Sequence, residues 1–203
     1  MIELVKDNGL WTVTLNRPDK ANSLTPEMLE DLAEIVNAAN GTAKALVLTG
    51  TGKVFSAGAD LDAARAGLAT SDVWERLSGA LAALPCLTIA ALNGTLAGGA
   101  FGMALACDLR IAVPEAKFFY PVMKLGFLPQ PSDPKRLSEL VGPSRAKLIL
   151  MAGQKLTADE AMAFGLIDRV VERDRLSETV ATLAADSLGA TQSHVAGIKA
   201  MIS

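Results

Sequence analysis

The chain has 203 residues, half of them apolar and 20% charged, with a formal net charge of −3. That length suits one domain with a real core, and the composition excludes a disordered chain. The charge argues against broad nucleic-acid binding, but it leaves room for a phosphorylated small molecule held by a few local Lys or Arg.

In chain order, Ile2–Lys6 and Leu10–Asn16 alternate apolar and polar residues around Asp7-Asn8-Gly9, which predicts a β-hairpin. A polar loop, Asn16 to Thr25, follows. Thr25-Pro26-Glu27 then starts a helix, with Thr as N-cap, Pro in the first turn and an acid beside it. Met28, Leu32, Ile35, Val36 and Ala39 supply its apolar face. Ala43–Thr49 reads as a buried strand, Val73–Leu84 as a helix, Leu87–Leu92 as a strand, Gly99–Ala106 as a small-residue helix and Leu109–Val113 as a strand. Pro129–Pro134 reads as a loop, with Asp133 capping the next helix. Glu160–Phe164 is a helix ended by Gly165, Arg169–Val171 a short strand, and helices near Leu176–Leu188 and Thr191–Met201 follow. Strands and helices alternate, so the expected class is α/β.

The longest apolar runs, such as Cys86–Ala91 and Ala100–Ala106, fall short of the ~18–20 residues of a membrane span. No basic-then-apolar leader is visible, so a cytoplasmic location is expected. Cys86 and Cys107 sit inside apolar runs and read as buried reduced thiols. One His and two Cys 21 apart give no metal-ligand spacing, and His194 reads as a surface or packing residue.

Two glycine-rich segments about forty residues apart carry the chemistry: Phe55-Ser-Ala-Gly-Ala-Asp60 and Asn93-Gly-Thr-Leu-Ala-Gly-Gly-Ala-Phe-Gly102. Each follows a strand-like run and leads into a helix-like run. Such segments aim backbone N–H groups at a ligand, and two converging N–H groups make an oxyanion hole. Gly98 and Gly99 would let a ligand approach the backbone closely, and an N–H at the start of a helix has no partner within it. The alternative is that both segments only permit tight strand–helix connections.

These segments, together with Asn16-Arg-Pro-Asp-Lys-Ala-Asn-Ser-Leu, Leu46-Val-Leu-Thr-Gly, Ala90-Ala-Leu-Asn-Gly, Ala106-Cys-Asp108, Lys124-Leu-Gly-Phe-Leu-Pro129 and Leu156-Thr-Ala-Asp-Glu-Ala-Met-Ala-Phe-Gly-Leu-Ile-Asp168, resemble the crotonase superfamily, the enoyl-CoA hydratase/isomerase family. The resemblance covers essentially the whole chain. It implies an α/β spiral of repeated ββα turns over about 1–172, with C-terminal helices over about 173–203, as one domain. It also implies homotrimers or dimers of trimers and acyl-CoA thioester ligands. No separate cofactor is expected, CoA entering only as part of the substrate. The implied oxyanion donors are the N–H groups of Ala59 and Gly99, flanked by Ala57 and Gly98. Lys20 and Ala21 resemble the segment that contacts CoA. Asp60 and Asp108 match the family pattern and read as turn or cap carboxylates.

The chain departs from that pattern where acid–base chemistry would sit. By position, the two glutamates that hold water in the hydratases are replaced by Gly102 and Val122, and the glycine of the water site by Gln130. Neither glycine nor valine transfers a proton, and each positioned acid or base typically contributes ~10²–10⁴-fold. Hydration is therefore expected at no more than ~10⁻⁴ of an ordinary hydratase rate if the two losses are independent. Glu115, Tyr120, Lys124 and Asp133 lie nearby. Asp133 reads as a helix cap, and the others as facing solvent. Typical members also continue through further helices past the point where Ser203 ends this chain, which would leave a more open acyl site or one covered by oligomer contacts. Two functions remain open: a lyase or isomerase that stabilises the enolate of an acyl-CoA with an unconventional acid–base partner, or a non-catalytic acyl-CoA-binding protein for transport, sensing or delivery. A structural subunit without ligand is a weaker third.

Overall fold

In the computed structural model, which describes residues 1–202, the chain coils through two sheets. Strands β1 (Ile2–Asp7) and β2 (Leu10–Leu15) form the predicted antiparallel hairpin. Helix α1 (Pro26–Ala39) begins as its sequence dictates: Thr25 Oγ1 accepts from the Met28 N–H at 3.3 Å and Pro26 opens the first turn. Its face of Met28, Leu29, Leu32, Ala33 and Val36 is buried.

From here each coil lays one strand in each sheet and returns through helix. β3 (Ala45–Gly50) is followed by β4 (Val54–Ser56), then α2 (Leu61–Arg65) and α3 (Val73–Ala82). β5 (Leu87–Leu92) is followed by β6 (Thr95–Ala97), a 3-10 turn at Gly98–Ala100, and α4 (Phe101–Ala106). β7 (Leu109–Ala112) is followed by β8 (Lys117–Phe119), α5 (Val122–Leu125), α6 (Asp133–Val141) and α7 (Pro143–Leu150). β9 (Leu156–Thr157), α8 (Ala158–Phe164) and β10 (Arg169–Val170) close the spiral, and α9 (Leu176–Gly189) and α10 (Gln192–Ile202) follow. Ser203 lies outside the described residues.

The larger sheet runs β1-β2-β3-β5-β7-β10 and the smaller β4-β6-β8-β9, so consecutive coils are neighbours in both. The central strands are parallel, as a coiling chain requires, and β3 and β5 are apolar almost throughout because both of their faces are covered. The pairing of β4 with β6 is irregular: Val54 pairs with Thr95 but Ser56 with Leu96. The strands of the smaller sheet are two or three residues long, too short to show alternation, and the sequence reading passes over them. The predicted Gly99–Ala106 helix is shorter than expected, since a 3-10 turn carries Gly99 and only Phe101–Ala106 is α-helical. Among the described residues no helix is long and apolar enough to cross a membrane. Cys86 and Cys107 are buried and unpaired in a disulfide, and burial pushes their thiols up to about 11 and about 12.

Candidate active site

Two buried asparagines hold the first glycine-rich turn. Asn22 adopts φ +52°, a conformation Asn tolerates. Its Oδ1 accepts from the Arg17 N–H at 2.8 Å, and its Nδ2 donates to Thr51 O at 2.9 Å and Val54 O at 2.7 Å. Asn93 grips the same loop from the next coil: Oδ1 accepts from the Gly50 N–H at 3.0 Å, and Nδ2 donates to Gly52 O at 3.0 Å. A buried amide that satisfies several backbone groups fixes a loop that would otherwise carry unpaired carbonyls.

The turn itself is almost saturated. Ser56 Oγ donates to Asn22 O at 2.8 Å and accepts from the Gly58 N–H at 3.1 Å. The Ala57 N–H donates to Ala21 O at 3.0 Å and the Asp60 N–H to Leu24 O at 2.9 Å. Among the described residues nothing accepts from the N–H of Ala59, which lies between them. The second turn packs backbone to backbone against the first. A Cβ on Gly58, already at φ +90°, would stand 2.9 Å from Ala97 O and 3.3 Å from Gly99 N. Only glycine permits that approach. A Cβ on Gly99 would press on the Trp74 ring at 3.2 Å, and that ring is fixed by its Nε1–H donating to Leu68 O at 2.8 Å.

A cavity of about 150 Å³ opens in front of these turns, walled by Ala57, Ala59, Trp74, Gly98, Gly99, Tyr120, Val122 and Gln130. Leu61, Leu125 and Leu128, all well exposed, stand at its rim. Of the residues expected at the site, Ala57, Ala59, Gly98, Gly99, Val122 and Gln130 thus come together. Lys20 lies on an exposed 3-10 turn, and Ala21 touches the site only through its carbonyl. Asp60 lies outside the cavity wall as the N-cap of α2. Its Oδ2 accepts from Arg17 Nη1 at 2.8 Å, and that bond, followed by the Ala63 N–H, holds its carboxyl below the usual range. Asp108 is structural too, bonded to the Thr88 N–H at 2.8 Å and Lys199 Nζ at 2.8 Å.

The reading of Asp133 as a helix cap is wrong. Ser132 holds the cap position and bonds Glu75, while Asp133 is the first helical residue and turns inward, fully buried. Its Oδ2 accepts from the Tyr120 hydroxyl at 2.9 Å, and the same hydroxyl accepts from the Gln130 N–H at 3.4 Å. Asp133 Oδ1 has no hydrogen-bond partner and is alone in this among buried side-chain oxygens and nitrogens of the described residues. Burial, above all, lifts the carboxyl from 3.8 to about 7, with Glu75 adding to the rise and Tyr120 and Arg136 opposing it. Tyr120 does not face solvent as expected: it is 4% exposed and stacks on Phe101, with ring centroids 5.3 Å apart. Gly102 is buried behind the cavity, and a Cβ there would stand 3.0 Å from Asp133 Oδ1. Glu115 and Lys124 are exposed, Glu115 pairing with Arg173 at 3.6 Å.

A larger hollow of about 680 Å³ lies between the first residues of β5 and β7 and the last helices, lined by Leu87, Leu109, Val195, Ile198 and the exposed His194. Its lining shares no residue with either glycine turn.

The two turns on consecutive coils, both in the wall of one small cavity, define a spiral α/β protein with a glycine-walled pocket. The chain belongs to the enoyl-CoA hydratase/isomerase family, whose description matches residues 5–203. It is 36% identical over 171 residues to the "Probable enoyl-CoA hydratase echA6" of Mycobacterium tuberculosis, covering 84% of this chain and 70% of that protein. It is 35% identical over 189 residues to the 1,2-epoxyphenylacetyl-CoA isomerase of Escherichia coli, covering 88% and 72%. The enoyl-CoA hydratase structure from Bacillus anthracis superposes with a TM-score of 0.89 at 31% identity, over 99% of this chain and 81% of that one.

Proposed function

We propose that the protein binds an acyl-CoA thioester, with the N–H groups of Ala59 and Gly99 directed at the thioester oxygen to stabilise its enolate. The observation that carries this is the Ala59 N–H, left without an acceptor in a turn where its neighbours are all bonded, beside Gly99 in the wall of one cavity. Donors fixed before the ligand arrives need no reorganisation as charge develops on the oxygen. The cavity, about 150 Å³, is below the ~300–1,000 Å³ of pockets for drug-sized ligands. It therefore takes the thioester and a short stretch of acyl chain, while the rest of CoA runs outside past the Lys20–Ala21 turn.

The replacement of both hydratase glutamate positions by Gly102 and Val122 supports a chemistry other than hydration, or acyl-CoA binding without turnover. The Tyr120–Asp133 contact favours the first of these.

The test compares Gly99→Pro with Gly99→Ala by thermal shift against a panel of acyl-CoAs. Both variants press on Trp74, but only proline removes the N–H. Thioester-dependent stabilisation lost in Gly99→Pro and largely kept in Gly99→Ala supports the reading. Equal responses in a folded Gly99→Pro variant and in the parent overturn it.

A further inference from the structure

We propose that Tyr120 and Asp133 form the proton-transfer pair of this site, Tyr120 exchanging the α-proton of the bound acyl thioester as its own hydroxyl proton passes to Asp133 behind it. The proposal rests on the reading of Ala59 and Gly99 as thioester donors.

Geometry brings the two residues together at the cavity. Tyr120 is part of its wall together with Ala59 and Gly99. Its hydroxyl donates to Asp133 Oδ2 at 2.9 Å and receives the Gln130 N–H at 3.4 Å. Asp133 lies fully buried in the space that a side chain at Gly102 would need, with one carboxylate oxygen unpartnered. A buried carboxyl with an orphaned oxygen costs stability unless something is gained from it. Structure alone does not account for this one: it caps no helix and forms no ion pair within 4.0 Å among the described residues.

The chemistry follows from the pairing. Burial and the neighbouring carboxylate push the Tyr120 phenol far above its usual range, so it keeps its proton at neutral pH. A neutral phenol accepts a proton only if it gives up its own. Tyr120 Oη takes the α-proton as its hydroxyl proton passes to Asp133 Oδ2. The C–H electron pair becomes the enolate, with its charge on the oxygen held by Ala59 and Gly99. Once the protons on the pair have exchanged with solvent, the reverse transfer restores the thioester with a solvent proton on the α-carbon and leaves no net redox change. Asp133 titrates near neutrality, where a group can both accept and return a proton. The charged groups that face it are Arg136 on its own helix and Glu75 on α3; Tyr120 is the titratable group from the β8–α5 segment, and α4, Phe101–Ala106, carries no titratable side chain.

The experiment follows α-deuterium incorporation into butyryl-CoA in D₂O by mass spectrometry, with butyryl-CoA affinity measured in parallel by calorimetry. The parent is expected to exchange, at a rate that rises through a pD near 7 and then levels. Tyr120→Phe and Asp133→Asn are each expected to lose at least ~10²-fold in exchange rate with affinity kept within a few-fold. Residual exchange in Asp133→Asn is expected to lack the rise near pD 7, a change that a purely structural role would not produce. Asp133→Asn removes a buried charge, so it remains informative if Tyr120→Phe fails to fold. A parent that binds butyryl-CoA without exchange, or undiminished exchange in either variant, overturns the pair and leaves the thioester reading intact. A parent that does not bind any acyl-CoA overturns both.

Discussion

Asp133 occupies the volume into which a side chain at residue 102 would grow: a Cβ built on Gly102 stands 3.0 Å from Asp133 Oδ1 and 3.4 Å from Oδ2. The two positions are 31 residues apart in sequence and share one small space. A carboxylate reaching this point from helix α6 excludes one reaching it from α4, so adding glutamate at residue 102 crowds two acids together.

Gly102→Ala is therefore expected to destabilise the protein by about 1–3 kcal/mol, as overpacking of a filled core does. Gly102→Glu is expected to be worse and to regain no hydratase activity. In the double variant Gly102→Ala with Asp133→Ala the cost should fall below the sum of the single changes. Urea melts of the four proteins check this, and a Gly102→Ala variant as stable as the parent contradicts the packing.

Asp133 also sets a pH dependence of stability. Its carboxyl titrates at about 7 when folded instead of 3.8. Between those values the folded chain keeps a proton that the unfolded chain releases, so stability falls as pH rises. The contribution is complete below pH 3.8 and gone above about 7. Asp133→Asn should gain on the parent by on the order of 2–4 kcal/mol between pH 4 and pH 8. Denaturant midpoints measured for both proteins at the two pH values give the difference, and parallel pH profiles refute the assignment.

Asn22→Ala removes one acceptor and two donor contacts at a residue with φ +52°. A loss of about 2–4 kcal/mol is expected. Because Ser56 and Ala57 hang from the same segment, the acyl-CoA thermal shift should shrink as well. A fully retained shift would separate this loop from the site.

Crotonyl-CoA hydration should be slow. One proton-handling pair does not orient an attacking water and protonate the α-carbon at the same time, so at least one contribution of ~10²–10⁴ is missing. Loss of the enoyl-thioester absorbance in the ordinary range of ~1–10³ per second would show that other groups fill both roles.

We expect trimers or dimers of trimers in solution. The exposed Leu125, Leu128, Met201 and Ile202 offer apolar surface to cover. Light scattering that yields a stable 21.1 kDa species at micromolar concentration argues against this.

Much of this architecture was legible in the residues. The Thr25-Pro26 helix start, the hairpin turn at Asn8-Gly9 and the strands β3, β5 and β7 all carry local signals that tertiary packing reinforces. The smaller sheet was not legible, because β4, β6 and β8 have three residues each and β9 two, held by neighbours on adjacent coils. At the site the glycine turns could be read because close backbone approach demands glycine. The inward turn of Asp133 could not: an acid before Pro134 has the pattern of a cap, and only the third dimension brings Tyr120 to its carboxylate and leaves it the room that a side chain at Gly102 would have taken. The one available signal was the paired absence, a missing side chain at residue 102 with a spare acid downstream.

The uneven step between β4 and β6 sets how the two glycine turns that follow them meet. Val54 pairs with Thr95, yet Ser56 pairs with Leu96, so one coil spends two residues where its neighbour spends one. Two residues past that slip, Gly58 is the residue that closes on the second turn, where a Cβ would stand 2.9 Å from Ala97 O. Deleting a residue from Val54–Ser56 would slide the first glycine turn by about 3.3 Å along the second, parting the close backbone approach at Gly58 while leaving every glycine of both turns in the sequence.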